Sequence, residues 1–195
     1  MKRLFDIFFS FIGLALLLPF MLFVSLSIAV TSGFPFLYFQ KRVGKNGIDF
    51  LLIKFRTMKK NADKEGLLTV GEKGKRITPI GYWLRRYKID ELPQLFNVLI
   101  GNMSLVGPRP EVRKYVELYT PEQKKVLSVK PGITDYASIV YSNESAVLER
   151  AEDPERMYIA KVMPSKIKLN LKYIEDQNLL TDMKVIFKTV GKVIS

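Results

Sequence analysis

The chain opens with a long apolar stretch. Between Leu4 and Val30 it is interrupted only by Asp6, by a few Ser and Gly residues and by Pro19. About 27 apolar-dominated residues exceed the apolar part of a secretory signal peptide, so we interpret the stretch as a retained membrane segment. As one straight helix it would reach about 40 Å and cross a hydrocarbon core of about 30 Å, whereas each half beside Pro19 is too short to cross alone.

Basic residues flank this segment on both sides. Lys2 and Arg3 precede it, and Lys41 and Arg42 follow it. The positive-inside tendency then favours two cytoplasmic ends, as in a helix that enters, kinks at Pro19 and returns. The carbonyls freed by the proline need partners in lipid, however, and spanning helices with a proline kink are commoner. The residues by themselves leave a spanning and a re-entrant helix both open.

A β-hairpin is predicted after the apolar segment. Two β-rich runs, residues 36–43 and 48–55, enclose the turn sequence Gly44-Lys45-Asn46-Gly47. Lys54 and Arg56 lie two residues apart at its end, so in an extended strand their side chains point to the same face. A phosphate site and a solvated basic edge both fit this pair.

Loop and helix signals follow. Residues 59–76 are polar, glycine-containing and mixed in charge, which predicts an exposed loop. Thr78-Pro79 predicts an N-cap with proline at the first helical position, and a short helix through Arg86. A further helix is predicted after Asp90, with Gly101 as its C-terminal cap.

The C-terminal part is predicted to be helical. Thr120-Pro121 with Gln123 forms a capping-box pattern, residues 130–132 predict a turn, and Asp153-Pro154 and Pro164 each begin a helix. In the last segment apolar residues fall at helical spacing and a lysine recurs every fourth residue, at Lys184, Lys188 and Lys192. A helix packed on the core and a basic amphipathic helix on an anionic membrane both fit this pattern.

Composition narrows the chemistry. The 195 residues contain no Cys and no His, which excludes disulfides, Cys or His zinc sites and an imidazole general base. Catalysis must therefore use carboxylates, Lys, Arg, Tyr, Ser or a metal bound through oxygen. The net charge of +12 indicates an acidic partner, such as nucleic acid, an anionic membrane or a phosphorylated substrate.

Two adjacent carboxylates between arginines are the strongest local signal. Asp90 and Glu91 lie at a predicted helix start, with Arg85 before them and Arg109 after them. Carboxylates can bind a divalent cation and arginines can bind phosphate through two hydrogen bonds, which suggests phosphate chemistry. A purely structural interpretation makes Asp90 an N-cap residue and puts Glu91 near the positive end of the helix dipole.

The order of several motifs resembles the bacterial sugar transferase family, the monotopic phosphoglycosyl transferases. These motifs are the apolar segment with its internal proline, Lys-Phe-Arg-Thr-Met, Leu-Arg-Arg, Asp-Glu-Leu-Pro-Gln-Leu, Gly-Asn-Met-Ser-Leu-Val-Gly-Pro-Arg-Pro-Glu and Lys-Pro-Gly-Ile-Thr. The resemblance is dense from Met1 to about Thr134 and extends more loosely to the C-terminus.

The resemblance implies transfer of a sugar 1-phosphate from a UDP-sugar to a membrane polyprenol (undecaprenyl) phosphate, with release of UMP. That reaction would be the first membrane step of glycoconjugate synthesis, at the cytoplasmic face of the bacterial inner membrane. It implies that Asp90 is a nucleophile forming a covalent sugar-phosphate intermediate, that Mg²⁺ is required, and that the membrane helix is re-entrant. Nucleic acid is not an expected partner.

Physical arguments assign further roles within that frame. Asp90 and Glu91 are the expected catalytic residues and metal ligands. Asp90 beside Mg²⁺ is expected to stay ionised while its charge raises the pKa of Glu91. Two roles stay open for Glu91: it accepts a proton from the lipid phosphate, or it positions the metal. Arg85 and Arg109 are the first candidates for binding phosphate, with Lys54 and Arg56 behind them.

Two prolines and two departures from the family pattern complete the site prediction. Pro108 and Pro110 are expected to fix the turn that directs Arg109. Leu18 precedes Pro19 where relatives often have serine, and Asp135-Tyr136-Ala137 stands where many relatives have Gly-Trp. The first bears on the membrane geometry, and the second places the chain in another subgroup whose sugar the sequence does not identify.

Two rival functions remain. A membrane-tethered basic binding module for anionic lipid or nucleic acid explains the charge but not the paired carboxylates. A glycosyltransferase that moves the sugar alone would release UDP in place of UMP.

We predict an α/β, mostly helical fold, with a re-entrant helix-break-helix in residues 1–33. Residues 34–195 form a cytoplasmic catalytic domain, with a small β-hairpin and interfacial amphipathic helices.

Overall fold

The computed structural model describes residues 1–60, 62, 76–141 and 144–194. Helices dominate, and the described strands form two separate two-stranded sheets. This agrees with the predicted mostly helical fold and small hairpin. The division of the chain at residue 33 stays a prediction.

The N-terminal segment forms one uninterrupted helix, α1 (Lys2–Ser32), which contains Pro19. By length and composition α1 could cross a membrane. The predicted break at Pro19 is wrong at the level of secondary structure, and the re-entrant path stays a prediction. Pro19 removes only one N–H donor from the helix. The helix face that packs on the domain continues past Pro19, since Leu14 before it and Met21 after it belong to one buried cluster with Phe55 and Leu84.

Both ends of α1 are tied to the rest of the molecule. At its start the Lys2 ammonium donates to the carbonyl of Val106 at 3.0 Å. At its end the Arg56 guanidinium donates to the carbonyls of Ser32, at 2.6 Å, and Gly33. The apolar helix therefore lies along the domain and does not project from it at one end.

The predicted hairpin is confirmed. Strands β1 (Leu37–Val43) and β2 (Asp49–Phe55) pair antiparallel, with Tyr38 opposite Lys54. The turn needs left-handed backbone, which Asn46 and Gly47 adopt with φ of 56° and 77°. These are the residue types that tolerate that conformation.

Helix α2 (Pro79–Arg86) begins as predicted, since the amide of Gly81 donates to the Thr78 hydroxyl at 3.0 Å. Of the loop predicted at 59–76, residues 61 and 63–75 lie outside the described residues. Helix α3 (Gln94–Ile100) ends at Gly101, whose φ is 94°. Asp90 does not cap α3, because it lies in a separate 3₁₀ turn, Ile89–Glu91, and Pro93 occupies the N-cap position.

A parallel strand pair was not predicted. Strands β3 (Ser104–Val106) and β4 (Gly132–Thr134) lie side by side, although residues 130–132 read as a turn. The crossing is very close: a Cβ added at Gly132 would lie 2.1 Å from the amide nitrogen of Gly107. Glycine is required here because only a missing side chain lets the two backbones approach.

Short helices complete the domain and enclose a buried cluster that is separate from the one beside α1. The Thr120–Gln123 capping box forms with reciprocal bonds of 3.0 and 3.2 Å, and Asp153 caps the next predicted helix. The aromatic and aliphatic side chains of this part of the chain form a buried cluster that includes Tyr115, Tyr158 and Ile167. The remaining α-helices of the described residues are α4 (Arg113–Val116), α5 (Tyr136–Val140), α6 (Glu144–Glu149), α7 (Pro154–Met157), α8 (Met163–Glu175) and α9 (Leu179–Ile194). A 3₁₀ helix, Gln123–Ser128, and a π-helical turn, Tyr158–Val162, lie between them.

Candidate active site

Glu91 lies at the centre of a buried charge cluster. Its two carboxylate oxygens face the Arg109 guanidinium, with Nη1 donating to Oε2 at 3.1 Å and Nη2 donating to Oε1. The Lys54 ammonium is 3.5 Å from Oε1. The structure thus brings together three residues that are up to 55 positions apart in the sequence, on β2, the 3₁₀ turn and the segment after β3.

Asp90, next to Glu91, has a different environment. It is equally buried, at 7% exposure, and its Oδ1 has no hydrogen-bond partner among the described residues. Burial, and then the charge of Glu91, raise the pKa of Asp90. A buried carboxylate oxygen without a partner is energetically unfavourable unless it serves a ligand or a reaction.

The direction predicted from the sequence for the pKa of Glu91 is wrong. We expected an ionised Asp90 to raise the pKa of Glu91, but the pKa of Glu91 is held below its usual range. Burial opposes this lowering, and the charges of Arg109 and Lys54 outweigh it. The reason is tertiary, since neither cation is near Glu91 in sequence.

The cations respond to the same cluster. Burial lowers the pKa of Lys54 to about 8, against the opposing influence of Glu91. Burial also lowers the pKa of Arg85, while the charges of Asp90 and then Glu91 raise it. Arg85 and Lys54 both line the cavity that contains Asp90 and Glu91. The site therefore concentrates cationic side chains around the two carboxylates.

Arg56 has a different position from Lys54. Its guanidinium is buried against the carbonyls of Ser32 and Gly33, so it ties the hairpin to the end of α1. Its Nε and Nη1 have no partner among the described residues. Its predicted role in phosphate binding stays a prediction.

The turn that carries Arg109 is held at three successive residues. The amide of Gly132 donates to the carbonyl of Pro108 at 3.0 Å, and the Arg42 guanidinium donates to the carbonyl of Pro110 at 3.1 Å. Between them, the backbone amide of Arg109 donates to Asp135 Oδ2 at 3.2 Å. The two prolines therefore lie in a turn fixed by neighbours as well as by their own rings.

Sequence reasoning missed these supporting residues. Asp135 was noted only as a departure from relatives, yet it is fully buried and its Oδ1 also accepts from the amide of Ser138 at 2.6 Å. Arg42 was counted as a flanking charge, yet it forms a salt bridge with Glu111 at 3.1 Å. Tyr158 donates to the other Glu111 oxygen. Glu111 directly follows Pro110, and that adjacency was the available signal.

One cavity connects the carboxylates with the apolar helix. It has a volume of about 1400 Å³ and is lined by Asp90, Glu91 and Arg109 at the charged part. Its lining also includes Leu17 of α1 and Leu95 of α3. The cavity therefore combines charged and apolar lining residues in one volume.

The donor groups fit a magnesium ion bound mainly by substrate. In the part of the chain that the structure describes, no three acidic side chains converge as a metal cage. Asp90 offers an unpartnered oxygen, whereas both Glu91 oxygens are engaged by cations. Mg²⁺ commonly takes one or two carboxylates and completes its shell with phosphate oxygens and water, which matches Asp90 better than Glu91.

Comparison with known proteins identifies similar sequences over the whole chain. A family model described as "Bacterial sugar transferase" matches residues 1–195. The chain is 34% identical over 199 residues to the "UDP-N-acetylgalactosamine-undecaprenyl-phosphate N-acetylgalactosaminephosphotransferase" of Aeromonas hydrophila, covering 100% of this chain and 44% of that protein. It is 37% identical to the "Uncharacterized sugar transferase EpsL" of Bacillus subtilis, covering 100% and 87%.

A third relative has a different sugar in its name. The chain is 35% identical over 195 residues to the "UDP-glucose:undecaprenyl-phosphate glucose-1-phosphate transferase" of Klebsiella pneumoniae, covering 98% of this chain and 39% of that protein. The chain thus spans less than half the length of the Aeromonas and Klebsiella relatives. The matches confirm the resemblance drawn from the motifs.

Proposed function

Because this chain belongs to the bacterial sugar transferase family, we propose that it transfers a sugar 1-phosphate from a UDP-sugar to undecaprenyl phosphate and releases UMP. The names of its relatives support the donor and acceptor classes. The observation that carries the proposal is the buried, unpartnered Asp90 oxygen beside the Glu91–Arg109 ion pair in a cationic cavity.

In the first step a carboxylate oxygen of Asp90 attacks the β-phosphorus of the UDP-sugar. A bond forms between that oxygen and phosphorus, and the bond from phosphorus to the bridging oxygen breaks, so that UMP leaves with the electron pair. Like charges oppose this attack. Lys54, Arg85 and Arg109 line the cavity and reduce the repulsion, and a fixed geometry lowers the barrier further.

In the second step an oxygen of undecaprenyl phosphate attacks the same phosphorus. The bond to Asp90 breaks, the carboxylate is regenerated, and the product is a lipid diphosphate sugar. The apolar residues in the cavity lining, among them Leu17 and Leu95, suit the approach of a lipid acceptor. Two-step transfer through a side-chain carboxylate is an established form of nucleophilic catalysis.

Asp90 is the residue that we propose for holding Mg²⁺, together with the donor's phosphates. The ion would favour the charged form of Asp90 and stabilise negative charge on the leaving phosphate. Glu91, engaged by Arg109 and Lys54, orients the two cations that face the donor. That role differs from metal binding and is compatible with its lowered pKa.

We propose the cytoplasmic face of the inner membrane as the location, with α1 inserted from that side. Hydrogen bonds join Lys2 and Ser32, the first and last residues of α1, to the same domain. A straight helix of this length would separate those ends by about 45 Å. If α1 crossed the membrane, its ends would lie on opposite sides, and the domain bonded to both ends would have to reach both sides. Contacts at both ends favour ends on one side.

The tethered binding module is the weaker candidate. A nucleic-acid groove gains affinity from exposed cations that meet phosphates. Here two of the cations that line the cavity, Lys54 and Arg109, already neutralise the buried Glu91 carboxylate. The cavity is therefore better suited to a compact pyrophosphate than to a polymer.

The experiment is UMP release from a panel of UDP-sugars that includes N-acetylgalactosamine and glucose, with Mg²⁺ and undecaprenyl phosphate. We compare the native chain, Asp90→Asn and a control, Glu122→Gln, which removes an exposed carboxylate paired with Lys125. We expect UMP from the native chain and the control, and none from Asp90→Asn or with chelator. Donor labelled in the sugar phosphate, without acceptor, should attach to Asp90 and to no residue of the variant.

Each contrary result has a definite meaning. UDP in place of UMP supports transfer of the sugar alone. Near-native turnover by Asp90→Asn removes Asp90 as nucleophile. Absence of turnover with every donor, together with salt-sensitive nucleic-acid binding, favours the tethered module.

A further inference from the structure

We infer that the membrane helix α1 is part of the active-site scaffold, with Asp6 and Lys2 as positioning residues for strand β3 and, through it, for Arg109. The inference rests on the proposed function for its activity readout. It goes beyond anchoring, because it assigns to two polar side chains of an apolar helix a task inside the catalytic domain.

Asp6 is the central contact. It is 2% exposed, although it belongs to an otherwise apolar segment. Its Oδ1 accepts from the Ser104 hydroxyl and from the backbone amide of Leu105, both at 3.1 Å. Both partners belong to β3, which begins 98 residues later in the chain. A carboxylate is costly in an apolar helix, so this one is explained by the strand that it holds.

Lys2 makes the matching contact one turn earlier. Its ammonium donates to the carbonyl of Val106 at 3.0 Å and forms a salt bridge with Asp182. The Tyr173 hydroxyl donates to Asp182 Oδ1 at 2.6 Å and lies 3.1 Å from the carbonyl oxygen of Val106. These bonds link α1 to helices α8 and α9 at the last residue of β3.

The consequence for Arg109 follows from the short distance along the chain. After Val106, the amide of Gly107 donates to the carbonyl of Thr134 at 3.0 Å, and Pro108 and Arg109 are held by Gly132 and Asp135. Every residue from Ser104 to Arg109 therefore makes a hydrogen bond to another part of the chain. The first three of these residues use α1, and the Arg109 side chain pairs with Glu91 only if this segment keeps its register.

The contacts of Asp6 make it possible to distinguish a membrane-anchoring role of α1 from a role in positioning β3. Replacing Asp6 by alanine makes α1 more apolar, so membrane binding should be retained or strengthened. An anchor without a positioning role would then keep full activity. A positioning helix would lose activity, because Ser104 and Leu105 lose their acceptor. Asparagine keeps a carbonyl oxygen at the same place and should restore the two bonds.

The test uses the full chain in nanodiscs and compares Asp6→Ala, Asp6→Asn and a control, Ser27→Ala. Ser27 lies on the same helix, and its hydroxyl donates to the carbonyl of Phe23 within that helix. Two quantities are measured: kcat for UMP release, and hydrogen exchange of the peptide covering residues 104–110, which needs no donor. A failure of the proposed function would abolish turnover in every variant but leave the exchange comparison intact.

We expect Asp6→Ala to remain membrane-bound, to exchange at least tenfold faster at residues 104–110 and to lose at least tenfold in kcat. Asp6→Asn should stay within about threefold of native, and Ser27→Ala should match native. In Arg109→Lys the further loss caused by Asp6→Ala should be smaller than in native protein, because both changes act on one contact. Native exchange at 104–110 in Asp6→Ala overturns the inference, whatever its activity.

A second variant covers failure of Asp6→Ala to fold. Lys2→Met keeps the aliphatic stem but removes the donor to Val106. Faster exchange at 104–110 in Lys2→Met supports the inference, and native exchange overturns it.

Discussion

Arg109 and Glu91 meet through two parallel contacts, with guanidinium Nη1 donating to Oε2 at 3.1 Å and Nη2 donating to Oε1. This geometry is the strongest form of ion pair that a protein makes, and Glu91 is 90% shielded from solvent within it. Among the described residues, the Oδ1 of the neighbouring Asp90 has no hydrogen-bond partner. The pKa values of the two adjacent carboxylates therefore shift in opposite directions, downward for Glu91 and upward for Asp90.

Replacing each carboxylate by the neutral amide should have different effects on the free energy of unfolding. Glu91→Gln leaves Arg109 and Lys54 without their counter-charge, and we expect a loss of about 2–4 kcal/mol in the free energy of unfolding, below or near the usual cost of breaking a buried pair because Arg109 is one-third exposed. Asp90→Asn removes a carboxylate whose charged form is disfavoured, so its stability should be unchanged or higher. Thermal unfolding in detergent checks both, and equal losses would contradict the contrast.

The shape of the guanidinium matters as well as its charge. Arg109→Lys keeps the charge but loses the two-point contact with Glu91, so we expect at least a tenfold fall in kcat/KM. Arg113→Lys is the matched control, since Arg113 lies on α4 and contacts Asp49 at the surface. Steady-state UMP release measures both variants, and native kinetics in Arg109→Lys would show that the double contact is dispensable.

Asp135 should be essential for the turn that holds Arg109. Asp135→Ala leaves the partly buried amides of Arg109 and Ser138 without their acceptor, and we expect a loss of about 2–4 kcal/mol in the free energy of unfolding. Asp135→Asn keeps one acceptor and should lose about half as much. Urea unfolding compares them with native protein, and a loss below about 0.5 kcal/mol in Asp135→Ala would refute this role.

The β3–β4 crossing should reject any side chain. Gly132→Ala would place a Cβ 2.1 Å from the amide nitrogen of Gly107, so we expect failure to fold or a loss above about 3 kcal/mol. Gly191→Ala on α9 meets no atom within 4 Å and should be neutral or more stable by about 0.5–1 kcal/mol, because alanine favours helix. Expression level and melting temperature measure the pair, and similar behaviour of the two variants would contradict the close approach.

The natural absence of cysteine makes the membrane path directly measurable. Single cysteines at Leu4, Phe34 and the surface position Glu122 are labelled with a membrane-impermeant maleimide in spheroplasts and in lysed cells. We expect all three to be protected in spheroplasts and the surface position to react after lysis, as a helix with both ends on the cytoplasmic side requires. Labelling of Leu4→Cys alone in spheroplasts would establish a spanning helix.

Local signals in the sequence determined most of the secondary structure and the membership of the site. Thr78 before Pro79, the Thr120–Gln123 box and the Asn46-Gly47 turn act through bonds between residues at most a few positions apart, so the sequence pattern predicts them. Asp90, Glu91 and Arg109 were found through their motifs.

Tertiary structure decided how these residues differ from one another. Strands β3 and β4 pair across about 28 residues, Lys54 and Arg109 reach Glu91 from separate elements, and Asp6 binds a strand 98 residues away. No local periodicity encodes such contacts. The pKa order of Asp90 and Glu91, the position of Arg56 and the role of α1 depend on burial and charge at short distances, and folding alone creates those distances.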